Sequence, residues 1–239
     1  SLTFHFSRCL GKRFKPGDEI VLSRMDHDVN ISPWLLLADD LGLKIKWMEF
    51  DPGTYEFPDD ALTKVLSPRT KLVALGMASN CTGTITDVKH FAKQAKAAGA
   101  LVYVDAVQLA PHVAIDVQDL GIDVLVSSAY KWFGPHQGIL WAREELLHET
   151  FAYKVRPAGG DLPHKFETGT LSHEGIAGIL GAIEYLEQFG SGPTRRARIA
   201  SAWDVLADYE RKLTQRLIET LQSFKGLTIR GITSANGAH

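Results

Sequence analysis

Short apolar runs that end in polar residues constrain this chain more than anything else in it. They fall at residues 19–24 (EIVLSR), 71–78 (KLVALGMA), 101–104 (LVYV) and from Ile122 onward, with an alternating run at 44–50. Runs of this length, rich in β-branched residues and bounded by turn residues, read as strands, and the continuously apolar ones as strands buried on both faces. Between them lie segments of helical spacing. Asn30 or Ser32 can cap a helix reaching Leu41, with Pro33 in its first turn and Gly42 closing it. Residues 59–66 predict a short amphipathic helix. Asp87 caps another, with Val88, Phe91, Ala92 and Ala95 on one face and Gly99 as its stop. Strands alternating with helices imply βαβ units and a mostly parallel sheet.

The flanks are less regular. Residues 1–14 have near-helical apolar spacing, with Ser1 able to cap. After the turn at Gly134-Pro135, residues 138–141 read as a further strand and 143–151 as a helix. A Gly/Pro-rich loop covers 153–165, and a glycine-containing helix covers 175–189. The cluster Gly190-Ser191-Gly192-Pro193 is the best boundary. It divides a domain at 1–190 from a second one at 191–239, which begins with a long amphipathic helix (194–224) and a strand (227–232). Both ends read as cut from something longer.

Composition excludes several classes. With 239 residues, a net charge of −2 and 45% hydrophobic content, the chain is an ordinary globular one. It has no long basic block to hold nucleic acid, no apolar run of membrane-spanning length and no signal peptide. Two cysteines, Cys9 and Cys81, give no disulfide framework and fit a reducing, cytoplasmic compartment. Both read as small buried thiols. His112, His136, His148 and His164 have no metal-site spacing, so no metal is expected.

In open α/β sheets, ligands bind outside the carboxyl ends of the strands. His27, Asn80, Asp105 and Lys131 lie at such ends, and Gln108 closely follows Asp105. Singly, each has an ordinary reading: a surface histidine, turn residues, a solvated glutamine, a lysine reaching for water. One chemistry uses all five together, that of pyridoxal phosphate (PLP). A partly desolvated lysine amine condenses with the aldehyde, and a carboxylate keeps the pyridine nitrogen protonated. A ring stacks on the pyridine, amides reach its phenolic oxygen, and hydroxyls such as those at 127 and 128 hold the phosphate.

The segments VYVDAVQ, SSAYKWFGPHQGILW and FETGT resemble the class V aminotransferase family, most closely its cysteine-desulfurase-like branch. The resemblance runs from about Pro16 to Gly190. It implies a three-layer α/β/α fold, the large domain of an aspartate-aminotransferase-like enzyme, followed by the start of a small C-terminal domain. Lys131 would form the Schiff base and Asp105 would pair with the pyridine nitrogen. His27 would stack on the ring, Gln108 and Asn80 would approach the phenolic oxygen, and Ser128 would bind phosphate. Thr170 would reach the phosphate of a partner subunit, which implies a homodimer with composite active sites. Tyr130 stands where desulfurases often carry a histidine, which puts its phosphate contact in doubt.

The family's phosphate-binding loop would lie before Ser1. Its substrate-binding arginine and sulfur-accepting cysteine would lie beyond His239, and Cys81 does not match the latter. The resemblance favours cysteine-desulfurase-like C–S cleavage of an amino acid. The alternatives are a class V aminotransferase or other lyase acting on a different amine, and a catalytically inactive dimeric relic of the fold. Arg156, His136 and His164 are solvated loop residues in their ordinary reading and contacts for a substrate anion in the minority one.

Overall fold

The chain's structure, a computed structural model, describes residues 1–234. Six strands form one sheet: β1 (Glu19–Ser23), β2 (Lys44–Met48), β3 (Thr70–Gly76), β4 (Leu101–Asp105), β5 (Val124–Ser128) and β6 (Gly138–Ala142). Their order is β2-β1-β3-β4-β5-β6. The first five are parallel, and β6 turns back antiparallel to β5 after the Gly134-Pro135 turn. The chain leaves β1 in one direction to form β2 and returns on its other side as β3. Such a reversal opens a crevice at the carboxyl ends of β1 and β3, and ligands bind in crevices of this kind.

Helices cover both faces. On one side, α1 (Leu2–Gly11) and α2 (Ser32–Leu41) pack Phe6, Leu10, Trp34 and Leu37 onto Ile20, Leu22, Leu72 and Tyr103. On the other, α3 (Val88–Ala97) presses Phe91, Ala92 and Ala95 onto Val21, Val73, Val102 and Val104. Neighbouring residues such as Leu72 and Val73 serve opposite faces, as the two-residue strand period requires. The strands are therefore apolar throughout because both faces are core. The short α4 (Val117–Leu120) and α5 (Glu144–Glu149) flank β5 and β6 in the chain.

A third cluster joins the turn after β5 to α6 (His173–Glu187) and α7 (Arg195–Gln222) through Ala129, Trp132, Ala182, Leu186, Ala202 and Trp203. Among the described residues no helix is long and apolar enough to cross a membrane.

Local signals hold at several places. Asp87 Oδ1 accepts the His90 N–H at 2.9 Å, and Gly42 closes α2 at φ 66°. Elsewhere the structure differs from expectation. Ser1 precedes α1 without a side-chain cap, and Ile31 takes the cap position of α2 while the Ser32 hydroxyl donates to the Asp28 carboxylate at 2.8 Å. Residues 59–66 form successive turns that bury Ala61 and Leu62, because so short a segment gains too few bonds to offset helix nucleation. Residues 227–232 form no strand, since no neighbouring strand supplies a ladder. The end of the expected second domain, residues 235–239, lies outside the described residues.

Candidate active site

β4 delivers Asp105 at its last position, where the apolar run stops. Asp105 is only 8% exposed, and its Oδ1 accepts the Val107 N–H at 2.8 Å. Burial pushes its pKa above the ordinary carboxylate range, while the Val107 N–H and the charge of Lys131 draw it back down.

β5 ends in Ser127 and Ser128, and residues Ala129–Trp132 wind into one 3-10 turn. Trp132 Nε1–H donates to Ser127 Oγ at 3.3 Å, and the Gly134 N–H closes on the Ala129 carbonyl at 2.8 Å. A side chain at Gly134 would meet Ala129 Cβ at 2.8 Å, so only glycine allows this closure. The knot turns Lys131 over the sheet end, where Nζ lies 3.4 Å from Gln108 Oε1 and 5.7 Å from the Tyr130 ring centroid. Lys131 is exposed to the cavity rather than partly desolvated as expected.

The loop after β1 supplies His27. Its Nδ1 accepts the Val29 N–H at 3.0 Å, so the neutral ring carries its proton on Nε2. Beside it, Asp26 accepts three hydrogen bonds: from Ser23 Oγ–H at 2.7 Å, Asn30 Nδ2–H at 2.6 Å and the Gly76 N–H at 2.8 Å.

A cavity of about 460 Å³ collects His27, Asn80, Asp105, Gln108, Ser128, Tyr130 and Lys131. Residues 1–3, at the start of α1, also face it, held there in part by the bond from Tyr103 Oη–H to Thr3 Oγ1 at 3.0 Å. Thr170 is exposed before α6 and does not line the cavity. His136 does line it, stacked on Tyr130 with ring centroids 5.2 Å apart and planes 7° from parallel. His136 is thus in the cavity and not a solvated loop residue, its ordinary reading from sequence, and Gln137 beside it was not singled out, because both follow a Gly-Pro turn whose return path is a tertiary matter. Asp26 was passed over in a polar loop.

Other candidates lie apart. Arg156 is exposed in its loop. His164 pairs with Glu167 at 2.7 Å, His112 with Glu210 at 2.8 Å and His148 with Glu144 at 3.4 Å. No group of three or more His, Cys, Asp or Glu side chains among the described residues could hold a metal. Cys9 is buried, but Cys81 is exposed, contrary to expectation, because it sits in the open loop after β3.

The class V aminotransferase family matches residues 4–238. This chain belongs to that family. Among class V relatives it is similar to the aminotransferase-like protein FGM3 of Gibberella zeae, 36% identical over 230 residues, or 95% of this chain and 55% of that protein. It is 34% identical to a cysteine desulfurase of Yersinia pestis over 235 residues, 92% of this chain and 54% of that enzyme. The crystal structure of the cysteine desulfurase CsdA from Escherichia coli superposes with a TM-score of 0.83 at 28% identity, covering 98% of this chain and 59% of that one. This class V chain thus spans about half the length of the curated relatives it matches. A further neighbour, C-DES with glycine covalently linked to its PLP cofactor, shares the fold at a TM-score of 0.76 and 19% identity, over 93% of this chain and 60% of that one.

Proposed function

We propose that this chain provides the cofactor-binding part of a PLP-dependent enzyme that acts on an amino acid and cleaves a C–S bond in the manner of a cysteine desulfurase. The observation that carries this reading is the buried Asp105 carboxylate and the Lys131 amine on the walls of one cavity. A buried carboxylate with no salt bridge among the described residues calls for a positive or N–H partner, and a protonated pyridine nitrogen is one. The cavity's volume and its imidazole, amide and hydroxyl groups suit the same small aromatic phosphate. The residues present therefore fit the cofactor.

When bound, PLP supplies an electrophilic aldehyde and a ring that withdraws electrons from the substrate's α-carbon. Lys131 would contribute the amine that holds the aldehyde carbon and the base within reach of the substrate's α-proton. Asp105 keeps a proton on the ring nitrogen. His27 covers the ring face, Gln108 and Asn80 orient the phenolic oxygen, and Ser128 and Tyr130 hold the phosphate end. Thr170, exposed and outside its own chain's cavity, is assigned to the phosphate of a partner subunit in a homodimer. Residues 1–190 form the cofactor-binding domain in this reading, and 191–239 open the next one. The compartment that suits two unpaired thiols is the cytoplasm.

Borohydride treatment of the purified protein followed by peptide mapping tests the assignment. The expected adduct is a pyridoxyl group on Lys131, and an adduct on any other lysine overturns it. With an added thiol as acceptor, cysteine should then yield alanine while its sulfur passes to that thiol as a persulfide, which excess thiol reduces to sulfide. The similarity to an aminotransferase-like protein supports a second reading, transamination, in which an amino acid yields a keto acid and no sulfur is released.

A further inference from the structure

The chemistry proposed above leaves Asp26 without a role, yet Asp26 is among the most elaborately held side chains in the site. Oδ1 takes the Ser23 hydroxyl and the Gly76 N–H, and Oδ2 takes the Asn30 amide. The Ser23 hydroxyl also accepts the Met25 N–H at 3.1 Å, so the loop is tied at both ends of its turn. Gly76 is the last residue of β3 and the register partner of Asp105 in the β3–β4 ladder. A Cβ at that position would come within 2.9 Å of Asp26 Oδ1, so glycine leaves the space that the carboxylate fills. Asp26 therefore bridges two elements that meet at the crevice. One is its own loop, whose next residue is His27. The other is the strand end beside Asp105.

The charge matters as well as the bridge. Burial pushes Asp26 up to about 6, against the pull of its Ser23, Gly76 and Asn30 donors, and the charge of Asp105 pushes the same way. The carboxylate is held by neutral donors alone, which leaves Asp26 sensitive to the charge of Asp105.

We propose that Asp26 is the positioning residue of this site: its carboxylate fixes the His27 loop to the strand end beside Asp105, close enough for Asp26 to sense the charge of Asp105. The inference deepens the functional reading above and rests on it for the roles of His27 and Asp105.

The test is made on the full chain without added cofactor. Carbon NMR of labelled aspartate carboxyls follows the titration of Asp26, assigned with Asp26→Asn, in the wild type and in Asp105→Asn. The Asp26 midpoint, about 6 in the wild type, should fall in Asp105→Asn by on the order of 0.5 pH unit, the size of one nearby charge in a partly screened site. Asp26→Ala should speed hydrogen exchange at the Gly76 and Val29 amides by about tenfold or more, because the tie is lost. An unchanged Asp26 midpoint in Asp105→Asn overturns its placement beside Asp105, and unchanged amide exchange in Asp26→Ala overturns the positioning role. An aspartate that only braced its own loop would move the exchange rates and leave the midpoint alone. Since no reading depends on bound cofactor, absence of an adduct on Lys131 would sink the functional proposal and leave this result standing.

Discussion

The sheet carries buried carboxylates at both ends, and the two ends treat them in opposite ways. At the amino end, Glu19 opens β1 and Asp123 immediately precedes β5, each with 0% exposure. Glu19 receives Arg69 at 2.8 Å and the Ser67 hydroxyl at 2.7 Å. Asp123 receives Lys96 and Arg143 at 2.6 Å each, and the Val102 N–H at 2.8 Å. At the carboxyl end, Asp105 and Asp26 have no salt bridge among the described residues. Burial opposes ionisation of Glu19, but Ser67 and Arg69 prevail and its pKa is lowered. For Asp105 and Asp26 burial prevails and the pKa is raised. One end spends its acids on holding strands together, and the other keeps charge unneutralised where a ligand can answer it.

The contrast is sharpest in what amidation does. Asp105→Asn removes a charge that the fold carries at a loss, so stability in urea should stay level or rise by up to about 1 kcal/mol. The rate of α-proton exchange from an amino acid substrate should fall by roughly 10³-fold, the scale of losing one aimed charge at a reacting centre. Near-normal exchange in that variant would remove Asp105 from the chemistry. Asp123→Asn should do the reverse. It leaves Lys96 and Arg143 without their counter-charge and places an amide N–H among donors, costing about 3 kcal/mol. Any loss of exchange rate should then track the unfolded fraction. If Asp123→Asn unfolded at the wild-type urea midpoint, the amino end would not be the structural end described here.

How far this division can be read from sequence follows from range. The strands were legible because burial on both faces leaves continuous apolar runs, Asp105 because it ends such a run, and Lys131 because it closely follows the end of the next. His27, Asn80, Gln108, Ser128 and Tyr130, named from the strand ends and the family resemblance, line one cavity. Asp26 was illegible for a physical reason. In the string MDHDVN it looks as solvated as Asp28, and only the folded positions of Ser23, Asn30 and Gly76 separate the two. The helix expected at 59–66 and the strand expected at 227–232 fail likewise, since apolar spacing cannot say whether a segment is long enough to nucleate or has a strand beside it. Cys81 was misjudged because thiol burial is a statistical habit, and an open loop overrides it.

The smallest effect, and the one that separates the two ends without touching activity, is the pH dependence of stability. Asp26 has a value of about 6 in the folded chain, above the ~3.9 of an aspartate in an unfolded one. Between those values the folded state keeps a proton that the unfolded state has released. Its contribution is therefore fully present below pH ~4 and is lost as pH rises through about 6. Glu19 runs the other way. Its lowered value gives a contribution present above the ordinary glutamate range, near ~4.3, and lost as pH falls through the folded value. Urea unfolding of the wild type and Asp26→Asn from pH 4.5 to 7 isolates the first term. The variant should gain on the wild type by roughly 2 kcal/mol across that window, with little further change above pH 7. Glu19→Gln should show the opposite trend, losing ground against the wild type as the medium becomes less acidic. Parallel curves for Asp26→Asn and wild type would mean that Asp26 is neutralised in a way its three donors do not reveal, and the contrast between the ends would rest on Asp105 alone.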